Sequence, residues 1–141
     1  MREILFRGKR DNGDWVEGNL FIPDKPNTPT QICIGTNIVR ISYDVIPETI
    51  GQYTGLTDKN GKKIFEGDIV KIKDYSNGCA LNYEQPTSNW LVKWDEKYAR
   101  FIIDYMNLLP YKYFNESEII GNIHDNPELL KGGNEECTEK E

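Results

Sequence analysis

The sequence contains few of the residues that usually identify a metal-binding or redox site. Its only histidine is His124, and its three cysteines, Cys33, Cys79 and Cys137, are far apart and form no CxxC pair. Structural zinc sites need closely spaced ligands, and a disulfide framework needs an even number of cysteines in a secreted chain. We therefore interpret the cysteines as structural or incidental thiols and expect no metal and no cofactor.

Motifs of three large enzyme classes are also missing from the sequence. There is no P-loop, no dinucleotide-binding glycine pattern and no GxSxG. Phosphoryl transfer, hydride transfer and α/β-hydrolase chemistry therefore have none of their usual sequence markers here. We expect that the protein is not an enzyme.

Long apolar segments are absent as well. No apolar run approaches the roughly 18 residues of a membrane span. The opening MREILFR contains too many charged residues for a signal peptide. The expected location is the cytoplasm, with no membrane partner.

Acidic residues exceed basic ones, and the excess lies near the end of the chain. The net charge is −6. Residues 101–141 carry three basic and nine acidic side chains, whereas residues 1–50 carry six and seven, and residues 51–100 carry eight and seven. Nonspecific nucleic-acid binding depends on basic side chains that displace counterions, so this balance disfavours it except at a local patch.

Turn dipeptides and alternating segments predict a mainly β protein. Arg2–Arg10 and Trp15–Ile22 flank Asn-Gly and predict a hairpin. A proline-rich loop comes next, and the runs Gln31–Gly35 and Ile38–Ser42 predict a second hairpin. We place these elements in an N-terminal β unit, residues 1–50, which packs on the rest of the chain, with a boundary near Pro47.

The remainder predicts a second β unit over residues 51–131. In the central block Gly51–Lys73, a turn with Asn-Gly at its centre precedes a short apolar step, a Gly-Asp turn and an alternating strand. This order is typical of SH3-like small barrels, whose bent strands need glycine at their corners. A long loop, Asp74–Asn89, leads to a third hairpin formed by Trp90–Trp94 and Arg100–Tyr105.

The end of the chain completes this predicted barrel. Glu118–Ile123 is expected to be the strand that closes it against the strand after Asp68. Asn126 followed by proline predicts a short C-terminal helix. Residues 132–141 are expected to be a disordered acidic tail.

Four segments together resemble the YopX family, small proteins of temperate phages and prophages of Gram-positive bacteria. They are MREILFRGKRDNGDWVEGNLFI, GQYTGLTDKNGKKIFEGDIVKIK, NWLVKWDEKYARFIIDY and EIIGNIHDNPELL. The resemblance implies phage ancestry and supports the SH3-like small barrel. It implies no reaction.

The densest basic group is the strongest candidate for partner binding. We call it the lysine strip, and it consists of Lys59, Lys62, Lys63, Lys71 and Lys73. Tyr53 precedes it in the sequence, and Trp90 and Trp94 follow it. Basic side chains interleaved with aromatic rings are suited to single-stranded nucleic acid or to an acidic peptide. Alternatively, both tryptophans fill the core, as their equal parity allows, and the lysines are only solvated.

Carboxylates offer a different hypothesis. A metal-assisted hydrolase site with Lys63 would draw on Asp44, Glu48, Asp58, Glu66 and Asp68. Several of these lie in or beside predicted turns, where acidic side chains commonly accept backbone hydrogen bonds. His124 with Asp125 is the one histidine–carboxylate neighbourhood, and we interpret it as part of a loop or cap.

The function that we expect is therefore that of a noncatalytic accessory protein of a phage or prophage, binding protein or nucleic acid. One alternative is a binding protein for single-stranded nucleic acid. Another is an inhibitor of a host enzyme whose acidic C-terminal third imitates nucleic-acid charge. Exposed strand edges also suggest self-association.

Overall fold

The computed structural model describes residues 2–35, 38–73, 87–103 and 114–130, and the chain divides into two compact units, residues 1–55 and 56–141. Ten strands lie in the described residues: β1 (Phe6–Lys9), β2 (Trp15–Phe21), β3 (Gln31–Gly35), β4 (Arg40–Asp44), β5 (Ile46–Thr57), β6 (Lys63–Phe65), β7 (Asp68–Lys73), β8 (Thr87–Asp95), β9 (Arg100–Ile103) and β10 (Glu118–Asn122). The strands form two sheets, of six and four strands, in the orders β4-β3-β2-β1-β5-β6 and β10-β7-β8-β9. The mainly β class expected from the sequence is confirmed.

The first hairpin forms where the sequence predicts it. Gly13 has a φ of 93°, which its missing side chain allows, and its N–H donates to the Arg10 carbonyl at 3.0 Å. The Asn12 side-chain oxygen accepts the Asp14 N–H at 3.0 Å. This turn sets the register in which Lys9 lies opposite Trp15.

The second hairpin joins β3 and β4 in an unbroken antiparallel register from Gln31 opposite Asp44 to Gly35 opposite Arg40. Ile32 is fully buried, whereas Ile34, two residues later on the same face, is 41% exposed. Core packing in this unit therefore stops partway along β3, and β4 forms the edge of the sheet.

The longest strand, β5, was missed by the sequence analysis, which interpreted Pro47 as a sign of a connection. β5 pairs with β1, and the register shifts between Arg7 and Lys9, beside the proline. There the Lys9 N–H donates to the Thr49 hydroxyl at 2.8 Å. Proline is tolerated at such an irregularity because no ladder bond is required from it. β5 runs through the expected boundary, and the compact units divide after Gly55.

In the second unit, β7, β8 and β9 form an antiparallel meander, and β10 returns to pair with β7. The predicted pairing of the last strand with the strand after Asp68 is therefore confirmed. The predicted closure into a barrel is not found among the described residues, where β9 and β10 are the two edges of an open sheet. A sheet closes only when its first and last strands pair, and these two do not.

The core of this unit is a cluster of buried apolar side chains from β6, β7, β8, β9 and the helical turn at residue 114. Its buried members are Ile64, Val70, Ile72, Val92, Ile103 and Phe114. Trp90 packs against them, so the interpretation that placed both tryptophans in the core is right for Trp90 and wrong for Trp94. Trp94 is 41% exposed and meets Phe101 edge to face, with the ring centroids 4.9 Å apart.

Two short helical turns complete the described chain, at residues 114–116 and 128–130. The second follows Asn126, whose carbonyl accepts the Leu129 N–H at 3.1 Å, so the expected short C-terminal helix is a single turn. The predicted tail, Cys79, Cys137 and residues 74–86 of the predicted loop lie outside the described residues. Residues 87–89, which were predicted to belong to that loop, lie in β8.

Candidate functional site

Two members of the lysine strip, fourteen positions apart in sequence, line one cavity of about 380 Å³ in the second unit. Lys59 comes from the turn after β5, and Lys73 is the last residue of β7. Asn115 and Glu116, in the helical turn 114–116, complete the described lining. We call this the lysine cavity.

Asp58 builds the turn that presents Lys59. One carboxylate oxygen of Asp58 accepts the N–H groups of Asn60 and Lys62, each at 2.9 Å. The other oxygen accepts the Ile119 N–H at 3.1 Å, across 61 positions of sequence. A single side chain, 5% exposed, thus folds the turn and fixes it to β10.

The ionisation of Asp58 is determined by these contacts. Burial by itself raises the pKa of a carboxyl group, because the charged form loses water. Hydrogen bonds from Ile119, Lys62 and Asn60, together with the charge of Lys62, outweigh burial and hold the pKa of Asp58 below its usual range. Asp58 is therefore a carboxylate at neutral pH, committed to backbone donors.

Charges of both signs surround the lysine cavity. Lys59 Nζ lies 3.3 Å from a Glu118 carboxylate oxygen, with both side chains about half exposed. Glu118 is also the Cα partner of Lys71 in the pairing of β10 with β7. Glu116 lines the cavity itself. Cations and carboxylates are therefore both present at and beside the cavity, so a ligand has to match charges of both signs.

The other members of the lysine strip are not part of the described cavity lining. Lys62 and Lys71 are exposed, and Lys63 is half-buried in β6. Tyr53 belongs to the first unit, where it is 8% exposed, and its N–H donates to the Leu5 carbonyl at 2.8 Å. Its ring therefore presents little surface to a partner, and its proposed contact with one remains a prediction.

Asn115 and Glu116 were missed by the sequence analysis. They follow an aromatic-rich, irregular stretch with no period and no motif, so nothing local indicates that they meet the central block. Burial of Phe114 in the core positions them. The hydrophobic pattern around Phe114 was the one available signal, and it does not specify a partner strand.

A second polar feature lies at the turn between β8 and β9. Tyr98 is 60% exposed, and its ring carries Lys97 Nζ at 5.2 Å and the Arg100 guanidinium at 4.9 Å. Ala99 adopts a φ of 50°, which turns the chain sharply. We call this group the Tyr98 platform. It combines an aromatic face with two cations.

Besides Asp58, two carboxylates of the hydrolase hypothesis accept hydrogen bonds that give them structural roles. Asp68 is 2% exposed and accepts the Phe65 N–H at 2.8 Å, which forms the Glu-Gly turn. The Asp44 carboxylate accepts the Gln31 amide at 2.7 Å. Within the described ranges, no group of three or more His, Cys, Asp and Glu side chains is arranged to hold a metal ion.

His124 and Asp125 lie exposed in the turn after β10. The N–H groups of both donate to the side-chain oxygen of Asn122, at 3.0 and 2.9 Å. The Asn122 amide donates in return to the Asp125 carboxylate at 3.1 Å. This arrangement is that of a hydrogen-bonded turn.

Among the residues that the structure describes, no helix has the length and apolar character needed to cross a membrane.

The sequence was compared with known families, with curated proteins and with solved structures. The family model described as YopX protein matches residues 5–131. This chain belongs to the YopX family. No curated protein matches it. Among solved structures, the chain is similar to protein EF1440 from Enterococcus faecalis, at 24% identity and a TM-score of 0.54. The match covers 92% of this chain and 99% of EF1440, and it shows a shared fold.

Proposed function

We propose that this YopX-family chain is a noncatalytic accessory protein of a phage or prophage, and that its lysine cavity binds an acidic segment of a partner protein. The observation that carries the proposal is the convergence of Lys59 and Lys73 on one 380 Å³ cavity. Two lysines from separate elements line one concave surface, where their side chains can bind carboxylates of a ligand.

The use of the carboxylates supports a noncatalytic role. General acid–base and metal-assisted chemistry both need carboxylates that face a substrate or a cation. Asp58 and Asp68 instead accept backbone N–H groups while they are buried. Their contacts shape two turns, one of which presents Lys59.

The charge pattern favours a protein partner over nucleic acid at this cavity. Glu116 and Glu118 lie among the lysines, and they would repel the continuous charge of a phosphate backbone. An acidic peptide can place its own lysine or polar residues near those glutamates. Tyr53, the aromatic residue that the sequence suggested for base stacking, is buried.

A binding protein for single-stranded nucleic acid remains the second candidate, and the Tyr98 platform is the observation that favours it. Bases stack on exposed aromatic rings, and cations beside them neutralise phosphates. A base that stacks on Tyr98 would displace Lys97 from the ring face toward a phosphate. This candidate therefore predicts contacts at the β8–β9 turn and none at the lysine cavity.

The proposal includes an SH3-like arrangement of the second unit and action in the host cytoplasm. The meander β7–β8–β9, with the last strand returned to β7, supports an SH3-like order of pairing. Small barrels of this kind present binding residues on the loops and turns between rigid strands. Lys59 lies in such a turn, and Lys73 is at a strand end.

An NMR titration with two defined probes tests both candidates. Isotope-labelled protein is mixed with a capped peptide that alternates glutamate with serine, or with an oligothymidylate, at low and high salt. The proposal predicts that the peptide shifts the amide signals of Lys59 and Lys73, and that salt weakens the effect. Shifts confined to residues around Tyr98, caused by the oligonucleotide, would favour the second candidate.

Charge-reversal variants make the titration specific. The double variant Lys59→Glu, Lys73→Glu should abolish the peptide shifts. The control Arg2→Glu, Lys25→Glu makes the same charge change at exposed residues of the first unit and should leave them unchanged. Equal peptide binding by both variants, or no peptide shift in the natural protein, would contradict the proposal.

A further inference from the structure

Strand β4 is an exposed edge of the six-stranded sheet. Among the described residues it pairs with β3 alone. Arg40, Ser42 and Asp44 are exposed, and Ile41 is 54% exposed. Exposed edges are often protected by proline, a bulge or charged side chains. β4 has no proline and no bulge within its five residues, and its two charged side chains, Arg40 and Asp44, are of opposite sign.

The backbone of β4 points alternate peptide groups outward. The Val45 N–H donates to the Thr30 carbonyl at 3.1 Å, and these residues continue the register of β3 and β4. Hydrogen-bonded pairs alternate along an antiparallel ladder, so Tyr43 and Ile41 bond to β3. The N–H and C=O groups of Arg40, Ser42 and Asp44 therefore face away from the sheet.

The sequence of β4, Arg-Ile-Ser-Tyr-Asp, is complementary to itself when reversed. If two copies pair antiparallel with Ser42 opposite Ser42, Arg40 of each copy lies opposite Asp44 of the other. These three residues are also the ones whose peptide groups face outward. Charge complementarity and backbone direction thus select the same register.

Side chains on both faces of the strand agree with this register. Asp44 uses one carboxylate oxygen to accept the Gln31 amide, and a carboxylate has a second oxygen with which to accept from Arg40 of the other copy. On the other face, Ile41 of each copy would lie opposite Tyr43 of the other, an aromatic and β-branched pair of the kind that stabilises antiparallel strands. Ile34, the Cα partner of Ile41, extends that apolar surface.

We propose that this chain forms a two-fold dimer in which β4 pairs with β4 of a second copy, centred on Ser42. The contact joins the six-stranded sheets of the two copies into one continuous sheet. Arg40 and Asp44 form two equivalent ion pairs across it. The dimer edge belongs to the first unit and is independent of the lysine cavity.

Sedimentation equilibrium on charge variants tests the dimer and its register together. Arg40→Asp and Asp44→Arg each replace two attractive pairs with two repulsive ones, so each should raise the dimer Kd about tenfold or more. An equimolar mixture of the two variants restores opposite charges at both positions, and it should form a heterodimer near natural affinity. Asp24→Arg, an exposed loop substitution, is the matched control and should leave the Kd unchanged.

A backbone variant provides a second measurement. Ser42→Pro removes an N–H that faces outward, so the bonds between β3 and β4 remain while the dimer is lost. The proposal predicts a monomer whose circular dichroism matches the natural protein. It is overturned if the natural protein is monomeric at high micromolar concentration, if the single charge variants dimerise normally, or if their mixture remains monomeric.

Discussion

Removal of the Asp58 carboxylate should destabilise the second unit, and the loss in free energy of unfolding can be assigned to its separate hydrogen bonds. In Asp58→Asn, the remaining oxygen can still accept the N–H groups of Asn60 and Lys62. The new amide nitrogen then faces the Ile119 N–H, which leaves a donor against a donor. A buried donor without an acceptor costs about 1–3 kcal/mol, so we expect a loss of about 2 kcal/mol at pH 7.

Asp58→Ala removes all three acceptor contacts. The Asn60 and Lys62 N–H groups lie in an exposed turn and can bond to water, so each lost bond costs only about 1 kcal/mol. The expected total is about 4 kcal/mol. Asp14→Asn is the control, because Asp14 is an exposed turn residue of the first unit, and it should cost less than about 0.5 kcal/mol.

The effect of Asp58→Asn should depend on pH with a definite sign. Because the folded-state pKa of Asp58 is lowered, its contribution to stability is complete above the unfolded pKa of about 3.9. The contribution is lost as the pH falls through the lower folded-state pKa. The difference between natural and variant protein should therefore be constant from pH 7 to about pH 5 and shrink below about pH 4.

Native-state hydrogen exchange, followed by NMR, measures these losses strand by strand. The opening free energies of the β7 and β10 amides, including that of Ile119, should fall in the Asp58 variants. For the control Asp14→Asn, the amides of β2 and β3 in the first unit are followed, and their opening free energies should fall by less than about 0.5 kcal/mol. An unchanged Ile119 amide in Asp58→Ala, or a variant effect that grows below pH 4, would refute this account of Asp58.

Three further predictions concern stability. Asp68→Asn should cost about 2 kcal/mol, measured by urea unfolding, because the buried acceptor of the Phe65 N–H can be replaced by a donor; no loss would contradict that role. Gly18→Ala should destabilise the first unit by about 1–3 kcal/mol, since the added Cβ would lie 2.4 Å from the Cys33 carbonyl oxygen, and β2 amide exchange checks it. Lys59→Met should change thermal stability by less than about 0.5 kcal/mol, because its ion pair is exposed, whereas a larger loss would show a structural role for this lysine.

Local turn chemistry made much of the fold predictable. Asn12-Gly13 and the tract around Asn60-Gly61 both become turns, with φ values of 93° and 79° at the glycines. Period-2 alternation likewise identified β7. These features depend on neighbours in sequence, so the sequence records them directly.

Long-range pairing was not predictable in the same way. β5 was missed because Pro47 argues against a strand unless its partner strand is known to shift register at that point. Barrel closure was predicted from the order of the elements, which does not fix which strands become edges. Asp58 was recognised as a turn residue, but its bond to Ile119, 61 positions away, requires the folded chain.

The candidate site was also predictable only where it depends on neighbours in sequence. The lysines were visible as a basic strip, yet only Lys59 and Lys73 belong to the described cavity lining, and Asn115 and Glu116 reach it through the burial of Phe114. Tyr53 appeared as an aromatic neighbour in sequence and is buried in the first unit. Proximity along the chain therefore predicted the composition of the site better than its geometry.

Affinity capture from host cells tests the central claim, that the lysine cavity is where this chain binds a partner protein. The natural chain, the Lys59→Glu, Lys73→Glu variant and the Arg2→Glu, Lys25→Glu control are used as baits, and bound proteins are quantified by mass spectrometry. We predict a partner that is retained by the natural chain and the control, lost from the cavity variant and released by salt. A partner retained equally by all three baits would contradict the claim.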